Sequence, residues 1–461
     1  LALFQSVLAV APNNADACHE TGVIHFSQGR FDEARGWLQK AASLKPDARV
    51  LTNLGACCNE LDDNDAAIDC YRKALELDPR MLDAWANLAK AWIDTGEHEM
   101  AIYAFREAIA ISPEGEFYRG LAQAWRRSGR YDRSEQALRA AIEKNPNDHD
   151  AHHGLAYTYF HLERYAEGFA EYEWRWHAQE FVVHRQQLAP IFAVPAWDGT
   201  QDLADKTLLV HTEQGFGDNL QFARFLDLIR PRVGKLVMWT RPGLGRLFAH
   251  NFDIAELTEN VMQLPAFDLQ LPLLSIPHHL DPNLSRLADD EPYLTAPPIR
   301  GRTLDKPEDK FNIGLVWGAS EGGFDHVNKR VPLEQLRPLF DIPGTHWYSL
   351  QVGSDRREAQ EAATPFPMID LGDYLKDFAD TARVVEQLDL IVSVDTSVAH
   401  LAGAMGKPLL VMLKKNPDWR WHADGESTIW YPRARLFRQE SFGDWSSVIR
   451  RVERALRRLV A

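Results

Sequence analysis

Proline returns at a nearly constant interval through the first third of the chain. Successive prolines stand 33 or 34 residues apart, at Pro12, Pro46, Pro79, Pro113 and Pro146. Because proline cannot continue a helix, each one predicts a helix end at the same point of a repeated unit. This interval restricts the region to an array of similar units, which must stack to bury a core.

A second series of residues keeps the same interval. Small residues stand at equivalent positions of the units, at Ala34, Ala67, Ala101, Ser134 and Gly168. An aromatic or leucine residue follows each of them four places later, at Leu38, Tyr71, Phe105, Leu138 and Tyr172. Small side chains let two helices pack closely, so the pattern predicts a helix, a turn and a second helix. A unit of this kind resembles the tetratricopeptide repeat (TPR) family, with four full repeats over about 15–148 and half-units at 1–14 and 149–180.

Stacked repeats of that family form a superhelix whose concave groove commonly takes a peptide or protein. Asn53 and Asn87 lie at matching positions of two first helices. An asparagine amide can pair with both backbone groups of an extended peptide, so they predict two contacts of a peptide-binding groove. The alternative is that asparagine is simply common at this repeat position. Glu20 and Gly120 occupy the same position in other repeats, so any row of peptide-binding asparagines extends over only two repeats.

The segment at 172–181 carries several aromatic residues after the last repeat. Trp174 and Trp176 are expected to pack this end of the repeats against the next domain, and direct contact with a ligand is the alternative.

Composition limits the classes of function. Acidic residues number 66 against 51 basic ones, and the net charge of −15 repels a phosphate backbone, so we expect no nucleic-acid partner. Four cysteines without CxxC spacing predict reduced, cytoplasmic thiols rather than a zinc site or disulfides. The apolar opening is too short to span a bilayer, and no membrane span is expected. The absence of an initiator methionine predicts that the natural protein is longer.

Apolar runs alternate with amphipathic windows from about residue 205. The predicted strands cover 206–212, 235–240, 312–318, 346–353, 368–372, 390–395 and 408–413. Strands that are apolar throughout and alternate with helices indicate parallel sheets covered on both faces. The proline-rich, charged stretch at 290–310 reads as a linker. We therefore expect an α plus α/β chain: repeats at 1–180 and two doubly wound, Rossmann-like domains at 181–300 and 301–461.

The turn after the first predicted strand contains Gly215, Gly217 and Asp218. Two glycines permit a tight turn from strand to helix and close approach of a ligand. Leu220 stands where a dinucleotide-binding fingerprint has its third glycine, so the turn does not favour an oxidoreductase that binds a dinucleotide. Asp218 is either a carboxylate facing the cleft between the domains or a helix N-cap.

The second domain has a comparable turn between a buried strand and a helix. It carries Asp395, Thr396, Ser397 and, one helical turn later, His400. Hydroxyl groups and free amides at a helix start form an anion site, which suits a diphosphate.

Further candidates for contact with the phosphates lie upstream, on a glycine-containing loop and at the end of a strand. They are Ser320, Lys329, Arg330 and Gln351. Positive side chains on loops are often simply solvated, so the alternative for Lys329 and Arg330 is a surface role.

GFGD in the first domain, followed by DTSVAHLAGAMGKP in the second, resembles the bacterial heptosyltransferase-like glycosyltransferases. Repeats in front of such a pair are similar to the TPR-fused branch, which includes flagellin-modifying enzymes and is laid out like the O-GlcNAc transferases. The resemblance implies a GT-B fold and metal-independent, inverting transfer of a sugar from a nucleotide-sugar donor to a Ser or Thr hydroxyl of a protein bound in the groove.

The resemblance also assigns roles to particular residues. Asp218 matches the catalytic base, and Lys329 matches a phosphate-binding lysine. Asp395, Thr396, Ser397 and His400 match the phosphate- and sugar-binding segment. The stretch at 418–439 implies donor contacts by Trp419, Arg420 and Trp430. The O-GlcNAc transferase histidine motif is not recognisable, which makes His211 a reserve candidate for the base.

Two other interpretations remain open at this stage. One is a TPR scaffold with a degenerate domain pair that binds a nucleotide sugar and a protein partner without turnover. The other is an enzyme acting on lipopolysaccharide, which would leave the repeat groove unused. Homo-oligomerisation is also left open.

Overall fold

A computed structural model of the chain describes residues 1–289, 291–298, 304–319 and 329–460. The chain forms two compact units. The repeat unit comprises Leu1–Glu163 and His177–Gln179, and the sheet unit comprises Arg164–Trp176 and Glu180–Ala461.

The repeat unit is built from ten helices. They are α1 (Ala2–Val10), α2 (Ala15–Ser27), α3 (Phe31–Leu44), α4 (Ala48–Glu60), α5 (Asn64–Leu77), α6 (Leu82–Asp94), α7 (His98–Ile111), α8 (Gly115–Arg127), α9 (Tyr131–Lys144) and α10 (His149–His161). The second helix of each full repeat ends two residues before its proline, as at Leu44 and Pro46. The predicted helix pairs over 15–148 are confirmed.

Close helix packing in the repeats depends on the small residues. Ala34, Ala67 and Ser134 are completely buried. Glycines of the first helices are also in contact with the aromatic or leucine series, since a Cβ on Gly55 would lie 2.6 Å from the Tyr71 ring. The 33- to 34-residue interval therefore marks the interface between helices.

The sheet unit begins earlier than the predicted boundary at 180. Helix α11 (Tyr165–Tyr172) and the residues through Trp176 belong to it. The physical reason is Arg175, which is completely buried and pairs with the buried carboxylate of Glu213 at 2.7 Å. Trp176 packs against Phe192, with ring centroids 4.7 Å apart. The second half of the predicted fifth repeat is therefore part of the sheet unit.

Two parallel sheets form the core of this unit. The first contains β1 (Thr207–His211), β2 (Lys235–Trp239), β3 (Glu256–Thr258) and β4 (Leu269–Pro272), in the order β3-β2-β1-β4. The second contains β5 (Phe311–Val316), β6 (Thr345–Ser349), β7 (Met368–Asp370), β8 (Leu390–Val394), β9 (Leu409–Leu413) and β10 (Ala434–Arg438), in the order β10-β9-β8-β5-β6-β7. Every residue of β8 and β9 is buried, which explains why these strands are apolar throughout.

The strand order defines where a ligand would bind. Within each sheet the chain winds first to one side and then to the other, so the order reverses between β1 and β4 and between β5 and β8. Doubly wound sheets bind ligands outside the carboxyl ends of the strands at such a reversal. Ligand-binding residues are therefore expected in the turns after β1, β5 and β8.

The helices of the sheet unit connect these strands. After α11 they are α12 (Val182–Gln187), α13 (Ala189–Phe192), α14 (Phe216–Phe222), α15 (Leu226–Ile229), α16 (Gly245–Asn251), α17 (Ile276–Leu280), α18 (Arg337–Phe340), α19 (Arg356–Gln360), α20 (Phe378–Gln387), α21 (Ser397–Ala404) and α22 (Trp445–Val460). No helix in the described part of the chain is both long enough and apolar enough to cross a membrane.

Candidate functional site

The turn after β1 places Asp218 in the first turn of α14. Gly215 is the N-cap of this helix, and its backbone N–H donates to Oδ2 of Asp218 at 3.0 Å. Asp218 is therefore the third helical residue, and its carboxylate accepts from the backbone of the N-cap residue. This corrects the alternative that Asp218 is itself the N-cap. Its carboxylate bonds back to the turn, and it remains partly exposed.

Arg420 connects Asp218 to the second sheet. Its Nη2 donates to Oδ1 of Asp218, and its Nη1 donates to Oδ1 of Asp418 at 2.8 Å. Its Nε donates to the buried amide oxygen of Gln221 at 2.6 Å. The guanidinium thus bridges a carboxylate on α14 and a carboxylate of the segment after β9. Burial would raise the pKa of Asp418, but Arg420 and Lys329 hold it well below its usual range.

The turn after β8 holds a second carboxylate, Asp395, which the predicted Lys329 of the segment after β5 contacts. Nζ of Lys329 lies 2.7 Å from Oδ2 of Asp395, and Nε1 of Trp421 donates to Oδ1 at 2.7 Å. Burial opposes both charges, yet the pair stabilises them. The pKa of Lys329 is raised by Asp395, and the pKa of Asp395 is lowered by Lys329.

His400 is the point of contact between α14 and α21. A Cβ placed on Gly217 would lie 2.6 Å from Cδ2 of His400, so only glycine fits here without a shift of the buried His400 ring or of the helix that carries it. Nδ1 of His400 lies 2.9 Å from the hydroxyl of Tyr431, and the ring is 5.1 Å from Trp421. Burial lowers the pKa of His400 to about 4, although Asp395 acts in the opposite direction. The imidazole is therefore neutral at pH 7.

The start of α21 has the features of an anion site. Thr396 is its N-cap, but among the described residues no side chain caps the helix, and the Thr396 hydroxyl bonds instead to Ser393 at 3.0 Å. Ser397 is the first helical residue and is half-buried. The first-turn amides are therefore left for an external acceptor.

Several predicted residues lie outside this cluster. Arg330 pairs with Asp355 at 3.1 Å and with Glu358 at 2.9 Å, so its guanidinium lies beside α19 and not beside Asp395. The side chain of Gln351 is buried, and its oxygen accepts from the N–H groups of Trp317 and Gly318, which shapes the turn after β5. These contacts correct the expectation that both side chains point to the phosphates. Ser320 lies outside the described residues.

The two predicted tryptophans and His211 pack in the interior. Trp419 and Trp430 are buried edge to face, with centroids 5.5 Å apart. His211 is completely buried at the end of β1, where Nε2 lies 3.0 Å from Oε1 of Gln270. Burial lowers its pKa to about 4. As a reserve base, His211 would have to act without direct access to solvent.

Sequence reasoning missed the partners of the predicted charges. Asp418, Trp421 and Tyr431 lie in the stretch at 418–439, which was assigned to the donor site without these individual roles. The sequence signal that could have identified Asp418 is its position two residues before Arg420. In the structure Asp418 is the N-cap of a short 3₁₀ helix (Trp419–Trp421).

A cavity of about 390 Å³ lies beside the turn after β1. Its walls include Gln214, Trp239 and Arg241. Nη1 of Arg241 donates to the backbone oxygen of Gln214, and its guanidinium lies 4.9 Å from the Phe216 ring. The cavity therefore offers an aromatic wall and a positive charge next to the helix that carries Asp218. No cluster of three or more His, Cys, Asp or Glu suited to a metal ion occurs in the described ranges.

Comparison with known proteins identifies the repeats. Family models described as tetratricopeptide repeat match residues 1–56, 48–81, 82–114 and 119–173. A solved structure of MamA from Desulfovibrio magneticus RS-1 is 18% identical with a TM-score of 0.32, covering 37% of this chain and 96% of that one.

Curated relatives differ in how much of the chain they share. Protein FlbA of Caulobacter vibrioides is 24% identical over 500 residues, covering 100% of this chain and 81% of that protein. The human cell division cycle protein 16 homolog is 27% identical over 124 residues, covering 25% of this chain and only 20% of its own length. The chain is therefore similar to FlbA throughout and to the second relative over a limited region, and its amino-terminal region consists of tetratricopeptide repeats.

Proposed function

We propose that the sheet unit is a GT-B glycosyltransferase that moves a sugar from a nucleotide-sugar donor to a hydroxyl group, and that the repeats bind the acceptor protein. The observation that carries the proposal is the contact of α14 with α21 at Gly217 and His400. This contact brings Asp218 of the first sheet close enough to Lys329 and His400 of the second for its negative charge to oppose the effect of burial on the pKa of both groups.

The donor would bind at the start of α21. Its diphosphate accepts hydrogen bonds from the first-turn amides and from the hydroxyl of Ser397, and the helix dipole favours the negative charge. Lys329 donates to Asp395 in the structure, but an ammonium group has three donors and keeps two for phosphate oxygens. No metal ion is required in this scheme, which stays a prediction.

Asp218 would act as the general base. Each of its carboxylate oxygens accepts one hydrogen bond, from Gly215 or from Arg420, and keeps capacity for another. An acceptor hydroxyl that reaches Asp218 from the neighbouring cavity, which Gln214 and Trp239 line, would therefore donate its proton to this carboxylate.

The reaction would invert the anomeric centre. The acceptor oxygen attacks the anomeric carbon as Asp218 takes its proton, and the bond to the departing phosphate breaks on the opposite side. A positioned base contributes about 10²- to 10⁴-fold. Lys329 and the α21 amides stabilise the charge that grows on the phosphate. Water excluded from the site cannot hydrolyse the donor.

The test is transfer by Asp218→Asn in the full chain. A panel of nucleotide sugars is screened first for binding by calorimetry, and then for sugar transfer and donor hydrolysis. We expect Asp218→Asn to bind donor normally while transfer falls at least about 100-fold. Asp253→Asn is the matched control, because Asp253 forms an exposed pair with Arg230 in the same unit. Undiminished transfer by a folded Asp218→Asn protein overturns the base assignment.

A scaffold is the second candidate, and one observation favours it. Asp218, Asp395 and Asp418 each pair with a cation of the same unit, either Lys329 or the shared Arg420, so every carboxylate of the cluster has a partner without a substrate. A scaffold would bind a nucleotide sugar and a protein partner without turnover. Donor binding with no transfer and no hydrolysis, across the whole panel, would decide for it.

A further inference from the structure

A second cavity, of about 390 Å³, lies away from the start of α21. It is lined by residues from three parts of the sheet unit: Arg224 before α15, Arg286 before the second sheet, and Arg433 before β10. Gly403 and Gly406, at the far end of α21, also line it. An eight-residue helix is roughly 12 Å long, so this cavity and the α21 start are separate places.

Among the described residues that line this cavity, three arginines stand against two carboxylates. Asp227 and Glu291 line it together with the three arginines, and Arg286 pairs with Asp227 at 3.2 Å. Within the described ranges neither Arg224 nor Arg433 pairs with a carboxylate. Each donates instead to a backbone oxygen, Arg224 to Trp430 at 2.9 Å and Arg433 to Gly406 at 3.0 Å.

Arg224 is the informative residue, because it is only 9% exposed. Its guanidinium lies 4.4 Å from the Tyr293 ring and 5.6 Å from the Trp430 ring. Aromatic faces stabilise a cation partly, but a buried charge without a counter-charge is costly. In a chain of net charge −15, a buried arginine without a carboxylate partner, beside the exposed Arg433, requires a specific explanation.

We propose that this cavity binds a small organic anion through a phosphate or carboxylate group. Guanidinium groups recognise both groups through paired N–H donors. The volume is in the range of small-molecule sites, and the rings of Tyr293 and Trp430 give the body of the ligand an apolar surface. The phosphate or carboxylate of the bound ligand supplies the negative charge that pairs with Arg224 and Arg433. The site does not depend on the proposed glycosyl transfer.

The test is calorimetric titration of the full chain with three probes: inorganic phosphate, a hexose phosphate and citrate. We expect at least one of them to bind. A response to the phosphates alone assigns a phosphoester ligand, and a response to citrate alone assigns a carboxylate. Arg433→Gln should weaken binding at least about tenfold, the loss expected for one charge-assisted hydrogen bond.

Control variants separate this cavity from other cationic places. Arg435→Gln removes an exposed arginine two residues away, which pairs with Glu426, and should leave binding unchanged. Lys329→Gln should leave binding at this cavity intact, because Nζ of Lys329 contacts Asp395 near the other end of α21, and any part of the response that it removes belongs to the proposed donor site. Arg224→Lys keeps the charge but loses the paired donors and should weaken binding. If it does not fold, Arg433→Gln decides alone. Absence of binding at millimolar probe, or loss through Lys329→Gln but not Arg433→Gln, overturns the proposal.

Discussion

His400 illustrates how a residue at this site is determined by its neighbours on every side. Its ring packs under Gly217, bonds to the hydroxyl of Tyr431 and lies 3.9 Å from a carboxylate oxygen of Asp395. Burial nevertheless outweighs that carboxylate and lowers the pKa. The imidazole therefore acts as a neutral packing and hydrogen-bonding group that fixes the distance between α14 and α21.

This environment predicts a pH dependence of stability. The pKa of His400 is about 4 in the folded state against 6.5 for a free histidine, so the unfolded chain binds the extra proton first. The stabilisation is complete above pH 6.5 and is lost as the pH falls towards 4. Between pH 7.5 and pH 5 this one group should cost about 2 kcal/mol of unfolding free energy.

Urea unfolding of wild type and His400→Gln at both pH values measures this contribution. The loss between pH 7.5 and pH 5 should be smaller in His400→Gln by about 2 kcal/mol. His250→Gln, at an exposed position of α16, serves as the control and should behave like wild type. An equal loss in His400→Gln and wild type would contradict the buried, neutral state.

The sequence indicates the residues at strand ends better than it indicates their partners. Asp218 follows a predicted strand of the first sheet, and Asp395 and His400 follow one of the second. Strand ends of two doubly wound domains in tandem face a common cleft, so their grouping was predictable. The pairing of Asp218 with Arg420 was not, because the two lie 202 residues apart. Arg330 and Gln351 show the converse, since proximity along the chain does not fix the direction of a side chain.

At the scale of elements, the close packing of the repeat helices predicts how alanine substitutions of single glycines change stability. Gly36 in α3 has open space where a Cβ would be placed, whereas a Cβ on Gly55 in α4 would lie 2.6 Å from Tyr71. Gly36→Ala should therefore raise the unfolding free energy by roughly 0.5–1 kcal/mol through the helix preference of alanine. Gly55→Ala should lower it by about 1–3 kcal/mol through overpacking.

Thermal or urea unfolding of the two variants tests this pair directly, because both changes add the same methyl group to a helix. Opposite signs are the expected outcome. A stabilising Gly55→Ala would mean that Tyr71 yields without cost and that the small residues do not determine helix spacing.

Elements with strong periodicity were predictable, and short ones were not. The long apolar strands and the repeat helices match the sequence pattern within a few residues. The strands β3, β4 and β10 were not predicted, because none of them is a continuous apolar run: β3 contains Glu256, β4 ends in Pro272, and β10 carries Arg435 and Arg438. Their place comes from pairing with β2, β1 and β9, which local sequence does not encode.

At the scale of the molecule, the repeat unit and the sheet unit are expected to have separable effects. If the repeats bind the acceptor, a change in their first helices alters recognition of a protein acceptor and leaves donor chemistry intact. Asn53 is a poor probe, because its amide already lies 2.8 Å from Nε2 of His19. Asn87, in α6, is half-buried and is the better choice.

The last prediction is therefore a split between two activities. Asn87→Ala should raise KM for a protein acceptor such as flagellin several-fold, since one hydrogen bond of about 1 kcal/mol is lost, and should leave donor hydrolysis unchanged. Intact-protein mass spectrometry measures transfer, and nucleotide release measures hydrolysis. Gln136→Ala, exposed on the second helix α9, is the matched control and should change neither rate. Equal loss of both activities in Asn87→Ala would mean a general structural defect, and an unchanged KM would remove this asparagine from acceptor recognition.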